Sequence, residues 1–453
     1  MLRLHDTATG TVRPLELRDP GRVSMYVCGP TVYDVPHLGH GRFVLVFDVL
    51  RRYLSWRGYD VHYVSNITDV DDKIIARAAD EGRSEAEVAA EYEAAWNEAI
   101  NALGVDRPDA DPHATAFVVR MVEVIGELVG AGVAYATAEG VYLAVEAVPG
   151  YGLLARQSLD SLRSGARVEV DDDKRSPLDF ALWKRTREGE PSWDSPWGPG
   201  RPGWHTECVV MALDLLGDGF DIHGGGADLA FPHHENERAQ AVALGRAFAR
   251  HWVHNGWVVV EGEKMSKSLG NFTSLTDLLA RVDSRAYRLL VLRAHYRSPL
   301  EVTPATTADA AAALERLDNL ARRAAEVGVP EVAPDGDALD RFAVAMDDDL
   351  DTPAAMALLF ELNRRANVAL DAGDPEGAAP LVAALREVAG AVGLVLGGAT
   401  DDALDAETAA LVVLRDQARQ ARDWTAADAA RDELVARGWV VEDTATGTRV
   451  RRR

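Results

Sequence analysis

Of the 453 residues in this chain only two, Cys28 and Cys208, are cysteines. Two thiols cannot build the disulfide framework of a small secreted scaffold, which leaves one disulfide, a shared metal ion or two inert buried thiols. A reducing compartment favours the last two. Nor is there an apolar run approaching the roughly 18 residues of a transmembrane helix, so no membrane span is expected. The opening MLRLHDTATG lacks the apolar core of a secretory leader, and a cytoplasmic location is the expectation. Positive charge is also short: 48 Lys and Arg stand against 72 Asp and Glu, a formal net charge of −24. A field of that sign repels phosphate and argues against indiscriminate nucleic-acid binding. A specific complex through a local basic surface stays open, because residues 411–453 hold nine arginines against seven acidic residues, a local +2 beside −26 for the remainder.

What is present is an ordinary globular composition, 47% apolar and 26% charged, on a chain too long for one core; two to four domains are expected. The chain is organised around CGPTVYDVPHLGH, from Cys28 to His40. Val23 to Val27 reads as a short buried strand and Phe43 to Tyr53 as an amphipathic helix, so a glycine-containing turn joins strand to helix. Free N–H groups at such a helix start, together with the helix dipole, favour an anion. His37 and His40, three apart, can face one phosphate there, and Gly39 lets it approach the backbone. Capping of an exposed helix end is the plainer account of the same pair. Cys28 falls at the strand's carboxyl end, the edge where open α/β sheets bind ligands.

Further strands are expected at 61–64, 141–145, 220–223 and 252–260. Helices are expected at 88–103 behind a Ser84/Glu87 capping box, then at 116–128, 310–327, 352–370 and 381–394. Thr68 and Asp69, in the acid-rich NITDVDDK after the second strand, are the residues there best placed to face a ligand. Gly, Pro, Trp and acidic residues crowd 149–203, which reads as an insertion between two halves of one sheet. Linkers near 330–337, 373–380 and 397–402 divide a helical region and set off a small basic C-terminal module.

The densest chemistry lies between these. Gly203 to Cys208 (GWHTEC) opens a helix, Gly224, Gly225 and Gly226 form a loop able to lie against a ligand, and Phe231 to Glu237 (FPHHENE) starts another helix. His233 and Glu237, four apart, share one helix face. With Cys28 and Cys208 they offer one imidazole, one carboxylate and two thiolates, a set that four-coordinate zinc accepts. A lone His-x-x-x-Glu pair is usually a surface pair, and His234 or Glu235 is able to replace a member of the set. After a strand-like WVHNGWVVV comes EKMSKSLGN. Its Lys264 and Lys267, in a Ser/Gly-containing loop, can meet the negative charge that builds on phosphates during displacement.

These residues carry a family likeness. PTVYDVPHLGH resembles the HIGH signature of class I aminoacyl-tRNA synthetases, and KMSKS at 264–268 matches their second signature letter for letter. Through MYVCGPTVYD, NITDVDDK, PLDFALWK, PGWHTEC, DIHGGGADLAFPHHENE, HYRSPL and RDWTAADAARDEL the chain resembles the cysteinyl-tRNA synthetases from about Met25 onward. The resemblance implies an α/β fold: a Rossmann-type parallel-sheet catalytic domain split by a connective insertion, then an all-α helical bundle and a small C-terminal α+β module. The expected divisions are 1–120 for the first Rossmann half, 121–202 for the insertion, 203–262 for the second half, 263–308 for the KMSKS loop and stem-contact region, 309–396 for the tRNA-binding bundle and 397–453 for the anticodon-binding module.

The resemblance further implies ligation of L-cysteine to tRNA(Cys), driven by ATP, through cysteinyl-adenylate. One zinc ion per chain would select the thiolate, held by Cys28, Cys208, His233 and Glu237, the four already reached from spacing. His37, His40, Lys264 and Lys267 would hold the triphosphate, with Mg²⁺ bridging its oxygens. Gly39, His223, Gly224, Gly225 and Gly226, with the strand end near Trp257 to Val259, would hold the rest of ATP, and Thr68, Trp204 and Asp228 would shape the amino-acid pocket. A monomer is the family expectation; no editing domain is expected, because direct coordination would reject serine and no spare segment is large enough to be one. The chain departs from the family at Thr448 to Arg451, where a tryptophan near Val450 is frequent, leaving open which residues read the anticodon. A cysteine ligase of mycothiol biosynthesis would share the adenylation site and zinc, but has no use for a bundle and basic end module. A non-catalytic zinc-stabilised RNA-binding paralogue would have no use for intact HLGH and KMSKS.

Overall fold

The computed structural model describes residues 1–165, 174–260, 263–264, 273–397, 406–444 and 447–452. It opens with a hairpin absent from the sequence expectations, β1 (Arg3–Asp6) and β2 (Thr11–Pro14). Buried Asp6 pins this hairpin to the main sheet, accepting from Arg13 Nε at 2.9 Å and from the Trp252 N–H at 3.1 Å.

Next, β3 (Arg22–Val27), α1 (Leu38–Trp56) and β4 (Asp60–Ser65) form a parallel βαβ unit. The helix starts at Leu38 rather than Phe43 because His37 caps it: Nδ1 of His37 accepts from the His40 N–H and Nδ1 of His40 from the His37 N–H, both at 3.3 Å. α2 (Asp72–Glu81) precedes α3 (Glu85–Ala102), which begins at the expected Ser84/Glu87 capping box, and a 3₁₀ turn at Ala114–Phe117 leads into α4 (Val118–Gly130). The inserted unit holds β5 (Ala134–Ala136), β6 (Gly140–Leu143), α5 (Leu159–Gly165), β7 (Phe180–Arg185) and β8 (Gly200–Pro202), the strands forming one antiparallel sheet in sequence order.

Through α6 (Trp204–Leu216), β9 (Ile222–Gly226), α7 (Glu235–Ala243) and β10 (His251–Asn255) the chain returns to the main sheet, whose order is β10-β9-β3-β4, all parallel. From β3 the chain steps to one side and from β9 to the other. The carboxyl ends of β3 and β9 therefore flank a topological switch point, the place where such sheets bind ligands. The three glycines 224–226 are not a loop but the end of β9. They are small because neighbours press on the strand: a Cβ on Gly224 would lie 2.3 Å from the Phe47 ring, and one on Gly225 2.8 Å from His234 Cε1.

Trp252 to Val260 is likewise not one strand. β10 stops at Asn255, and β11 (Val258–Val260) belongs to a second small sheet with β12 (Glu263–Lys264) on one side. α8 (Leu275–Leu279) and α9 (Ser284–Leu292) follow, and β13 (Leu300–Glu301) pairs with the other side of β11.

The helical region comprises α10 (Pro304–Val327), α11 (Gly336–Asp347), α12 (Thr352–Asp371) and α13 (Pro375–Ala391). Two presumed linkers prove partly helical. Asp335 caps α11, which starts at Gly336, and Asp374 caps α13, whose first residue is Pro375 and which carries Pro380 inside it. Proline at the first position loses no helical bond, whereas Pro380 forgoes one. One apolar core runs from Leu45, Phe47 and Tyr53 of α1 through Leu289 of α9 to Phe342, Leu359 and Leu385 in the bundle. The buried Arg288 side chain ties these parts together: Nη1 donates to Asp48 Oδ2 and to the Val392 carbonyl, Nη2 to the Leu103 and Gly104 carbonyls. The C-terminal module is α14 (Ala406–Gln420), α15 (Trp424–Ala436) and a hairpin of β14 (Trp439–Thr444) with β15 (Gly447–Arg452). Among the described residues no helix is long and apolar enough to cross a membrane.

Candidate active site

Cys28 leaves the carboxyl end of β3, Cys208 begins the second turn of α6, His233 lies in the turn before α7 and Glu237 in that helix's first turn. All four are buried, with ligand atoms within 4.8 Å of one another. The two Sγ atoms are 3.7 Å apart, Cys28 Sγ is 3.4 Å from Glu237 Oε1, and His233 Nε2 is 2.9 Å from the same oxygen. A disulfide requires about 2.05 Å. A tetrahedral ion with bonds of about 2.3 Å to sulfur and about 2.0 Å to nitrogen or oxygen requires edges of about 3.8 Å between sulfurs, about 3.5 Å from sulfur to oxygen and about 3.3 Å from nitrogen to oxygen. The sulfur edges match, and the shorter His233–Glu237 edge is that of a direct hydrogen bond. The donor set thus fits a four-coordinate metal.

A second, overlapping group joins Cys28 and Glu237 with His223 and His234. Those two imidazoles are stacked, centroids 4.2 Å apart and planes at 20°, so their in-plane lone pairs cannot converge on one ion. Both nitrogens of His223 are already engaged, Nδ1 with the Tyr26 carbonyl at 3.1 Å and Nε2 with Glu237 Oε2 at 2.7 Å. Glu235, the other sequence alternative, accepts instead from the Leu154 N–H and from Arg238. His223, assigned to ATP by resemblance, is fully buried and holds Glu237 through Nε2, a contact that no spacing in the sequence marks.

Burial opposes charge on Glu237, yet His223 and His233 hold its carboxyl well below the usual range. Burial also opposes charge on His233, but Glu237 and Cys208 push it up to about 9. The thiols act as a pair: a hydrogen bond from Cys28 brings Cys208 down to about 6, while burial pushes Cys28 up. One thiolate is thus available, and a metal would displace the remaining proton. Around the ligands, His205 Nδ1 meets His233 Nδ1 at 2.8 Å, and half-buried Trp204 stacks on the His233 ring, centroids 3.9 Å apart.

Thr68 and Asp69 are both hydrogen-bonded within the protein. Thr68 is buried, donating to Glu207 Oε2 at 3.2 Å and accepting from Asn66 Nδ2, and Asp69 accepts from the Thr115 N–H at 2.9 Å. Burial pushes the Glu207 carboxyl well above its usual range. Asn66, which sequence reasoning passed over, receives the Gly29 N–H at 2.9 Å and lies 3.8 Å from Cys208 Sγ.

At the start of α1 the half-buried His37 and His40 rings stack, centroids 3.7 Å apart and planes at 12°, flanking Gly39 in sequence. Because Nδ1 of each accepts a main-chain N–H, the ring proton sits on Nε2. Burial lowers both pKa values, and His40 is held further down because a proton there would be repelled by Lys73 and by any proton on His37, so both rings are neutral near pH 7. Exposed Asp228, just past β9, places its negative charge near His37. The Lys264 backbone pairs with Val259; Lys267 lies outside the described residues.

The sequence model of the tRNA synthetases class I (C) catalytic domain matches residues 14–312, the DALR domain 341–397 and the cysteinyl-tRNA ligase anticodon binding domain 401–451. A solved Mycobacterium tuberculosis methionyl-tRNA synthetase in complex with methionyl-adenylate shares the fold at 17% identity, with a TM-score of 0.64 over 90% of this chain and 96% of that one. An Agrobacterium radiobacter LeuRS in a ternary complex does so at 12% identity and a TM-score of 0.61, over 83% and 84%. The parallel sheet and its motif-bearing helix are thus those of a class I tRNA synthetase. The cysteine–tRNA ligase of Halorhodospira halophila is 48% identical over 462 residues and that of Escherichia coli 45% over 465, each alignment covering the whole of both chains. The chain belongs to the cysteine–tRNA ligase family.

Proposed function

We propose that this chain joins L-cysteine to tRNA(Cys) with ATP, by way of cysteinyl-adenylate, and that the Cys28–Cys208–His233–Glu237 cluster holds a zinc ion that selects the thiol. The observation carrying this is that buried cluster, which sits beside the switch point of the sheet and whose sulfur–sulfur and sulfur–oxygen distances of 3.7 and 3.4 Å are those of a tetrahedral site. Zinc there supplies a soft Lewis-acid centre at which a thiol binds as thiolate and a hydroxyl binds poorly. Packing alone separates such isosteres by only about 1–3 kcal/mol, so rejection of serine calls for this stronger device. His223 orients Glu237, His205 and Trp204 orient His233, and Asp228 stands at the rim of the amino-acid pocket. Thr68 supports that pocket through Asn66 and Glu207.

A carboxylate oxygen of cysteine attacks the α-phosphorus and pyrophosphate leaves. The terminal ribose hydroxyl of the tRNA then attacks the acyl carbon and AMP leaves. Neutral His37 and His40 donate from Nε2, and together with the α1 N–H groups, Lys264 and Lys267 they stabilise charge on the triphosphate, to which Mg²⁺ would add Lewis-acid charge stabilisation when bound. Gly39 and the β9 end at Gly224, Gly225 and Gly226 admit the nucleotide, and the backbone from Trp257 to Val259 holds adenosine. Residues 263–308 contact the acceptor stem, 309–396 hold the tRNA and 397–453 read the anticodon, in a cytoplasmic monomer.

Cysteine-dependent ATP–pyrophosphate exchange followed by charging of purified tRNA tests the reading. Both activities are expected. Exchange without charging would point to a ligase of cysteine with another acceptor, and neither activity to a binding protein.

A further inference from the structure

Arg42 lies two residues beyond His40, on the helix that carries the stacked pair, and is 1% exposed. Every hydrogen bond of its guanidinium goes to a main-chain carbonyl. Nη1 donates to Trp257 at 2.7 Å, and Nη2 to Tyr296 at 3.0 Å, to His295 at 3.3 Å and to Ser298. Nε–H is buried with no partner among the described residues. Burial brings its pKa down to about 10, which still leaves it charged at neutral pH. A guanidinium sunk among carbonyls is a poor way to fill a core, where an apolar side chain of similar volume would pack at lower cost.

What the charge achieves is convergence. The Trp257 carbonyl also accepts from the Leu300 N–H at 2.9 Å, so one oxygen joins α1, the entry to β11 and β13. β11 in turn carries β12, with Lys264 paired to Val259. The His295–Ser298 turn is gripped from its far side as well: Asp349, in the bundle, accepts from Tyr296 OH at 2.7 Å and from Arg297 Nε at 2.8 Å. It is closed from above by Gly256, whose N–H donates to the Tyr296 carbonyl at 2.8 Å.

We infer that Arg42 is a positioning residue of the adenylation step, fixing the distance between the His37/His40 helix start and the Trp257–Val260 strand from which Lys264 follows. This rests on the nucleotide reading of those two segments given above. The four cluster residues lie just past β3, on α6, in the turn before α7 and on α7, and share no hydrogen bond with Arg42, so its loss should spare the cysteine side of the site.

The test uses the full-length zinc-loaded enzyme and its Arg42→Met and Arg42→Lys variants. Pyrophosphate exchange gives kcat and both KM values, calorimetry gives affinity for ATP alone, and metal content and melting temperature accompany each. Arg42→Met is expected to keep its metal and a KM for cysteine within about two-fold of native, while the KM for ATP rises about ten-fold and kcat falls about 10- to 100-fold. Arg42→Lys, which keeps a charge able to reach some of the carbonyls, recovers part of both. Native ATP parameters in folded Arg42→Met, or a parallel rise in both KM values, would overturn the inference. If Arg42→Met fails to fold, Arg42→Lys decides: a raised KM for ATP alone supports the role, and native values remove it. Should the native chain exchange no pyrophosphate yet bind ATP more tightly than the variants, the proposed activity falls and the positioning role stands; equal ATP binding in all three removes the role as well.

Discussion

Trp204 lies flat on the imidazole of His233, ring centroids 3.9 Å apart and planes at 19°. The indole and the His205 contact together set the ring so that Nε2 faces Glu237. Trp204→Ala removes the only ring face stacked on His233 among the described residues and leaves the imidazole to its Nδ1 and Nε2 contacts. Metal affinity is expected to fall about 10- to 100-fold, measured by competition with a chromogenic chelator, with a rise in the KM for cysteine and little change in that for ATP.

Removing a ligand acts more sharply. Cys208→Ser replaces a thiolate by a hydroxyl that binds zinc poorly, and Cys28→Ser does the same from β3. Both variants are expected to purify with far less than one metal per chain. Their cysteine-over-serine ratio in pyrophosphate exchange should collapse toward the about 10- to 200-fold available from packing alone. A Cys208→Ser enzyme that still held stoichiometric zinc and native selectivity would refute the ligand assignment.

The Arg288–Asp48 pair is buried on both sides, with side-chain exposures of 2% and 0%. Asp48→Asn leaves the buried Arg288 charge without a carboxylate and is expected to cost about 3–5 kcal/mol in denaturant unfolding, and Arg288→Met less, because Asp48 keeps Arg52 Nε at 3.0 and 2.9 Å. The double variant should lose less than the sum, because neither charge is then left alone.

Burial alone would raise the pKa of Asp6, but Arg13 and the Trp252 N–H hold it below the usual carboxylate range. With the folded value beneath the unfolded one, its stabilisation is complete above the ordinary Asp value of about 3.9 and is lost as pH falls through the folded value. Asp6→Asn is expected to lower stability by about 1.5–3 kcal/mol at pH 7. Melting curves of native and variant chains should draw together once the pH drops below about 4; a gap that stayed constant would show that the charge is irrelevant.

The Cys28–Cys208–His233–Glu237 cluster was legible because its chemistry is rare: two cysteines in the whole chain and a His/Glu pair at helical spacing leave few other combinations. The main strands and α1 were legible through apolar pattern, as was α3 through its capping box. Residues whose role depends on what lies across the fold were not. Gly224 and Gly225 look like a ligand loop, but their smallness also answers Phe47, far away in the chain, and His234, which a cis-proline turn folds back onto the strand. Thr68 looked outward, yet its partner Glu207 comes from a helix more than a hundred residues away. Glycine and proline at 336, 375 and 380 read as linkers because composition does not reveal that Asp335 and Asp374 cap helices there.

Tyr53 and Trp56, at the far end of α1 from the histidines, both meet the ring of Phe342 in α11, with centroids 5.8 Å and 5.0 Å away. Cutting the chain after residue 312, where the catalytic family match ends, would bare those aromatics and take the Val392 carbonyl from Arg288. The part that activates the amino acid is therefore not portable. Any minimal enzyme carved from this chain has to bring α11 to α13 along, and a lesion in the helices far from the nucleotide will register first as failure of the activation half-reaction.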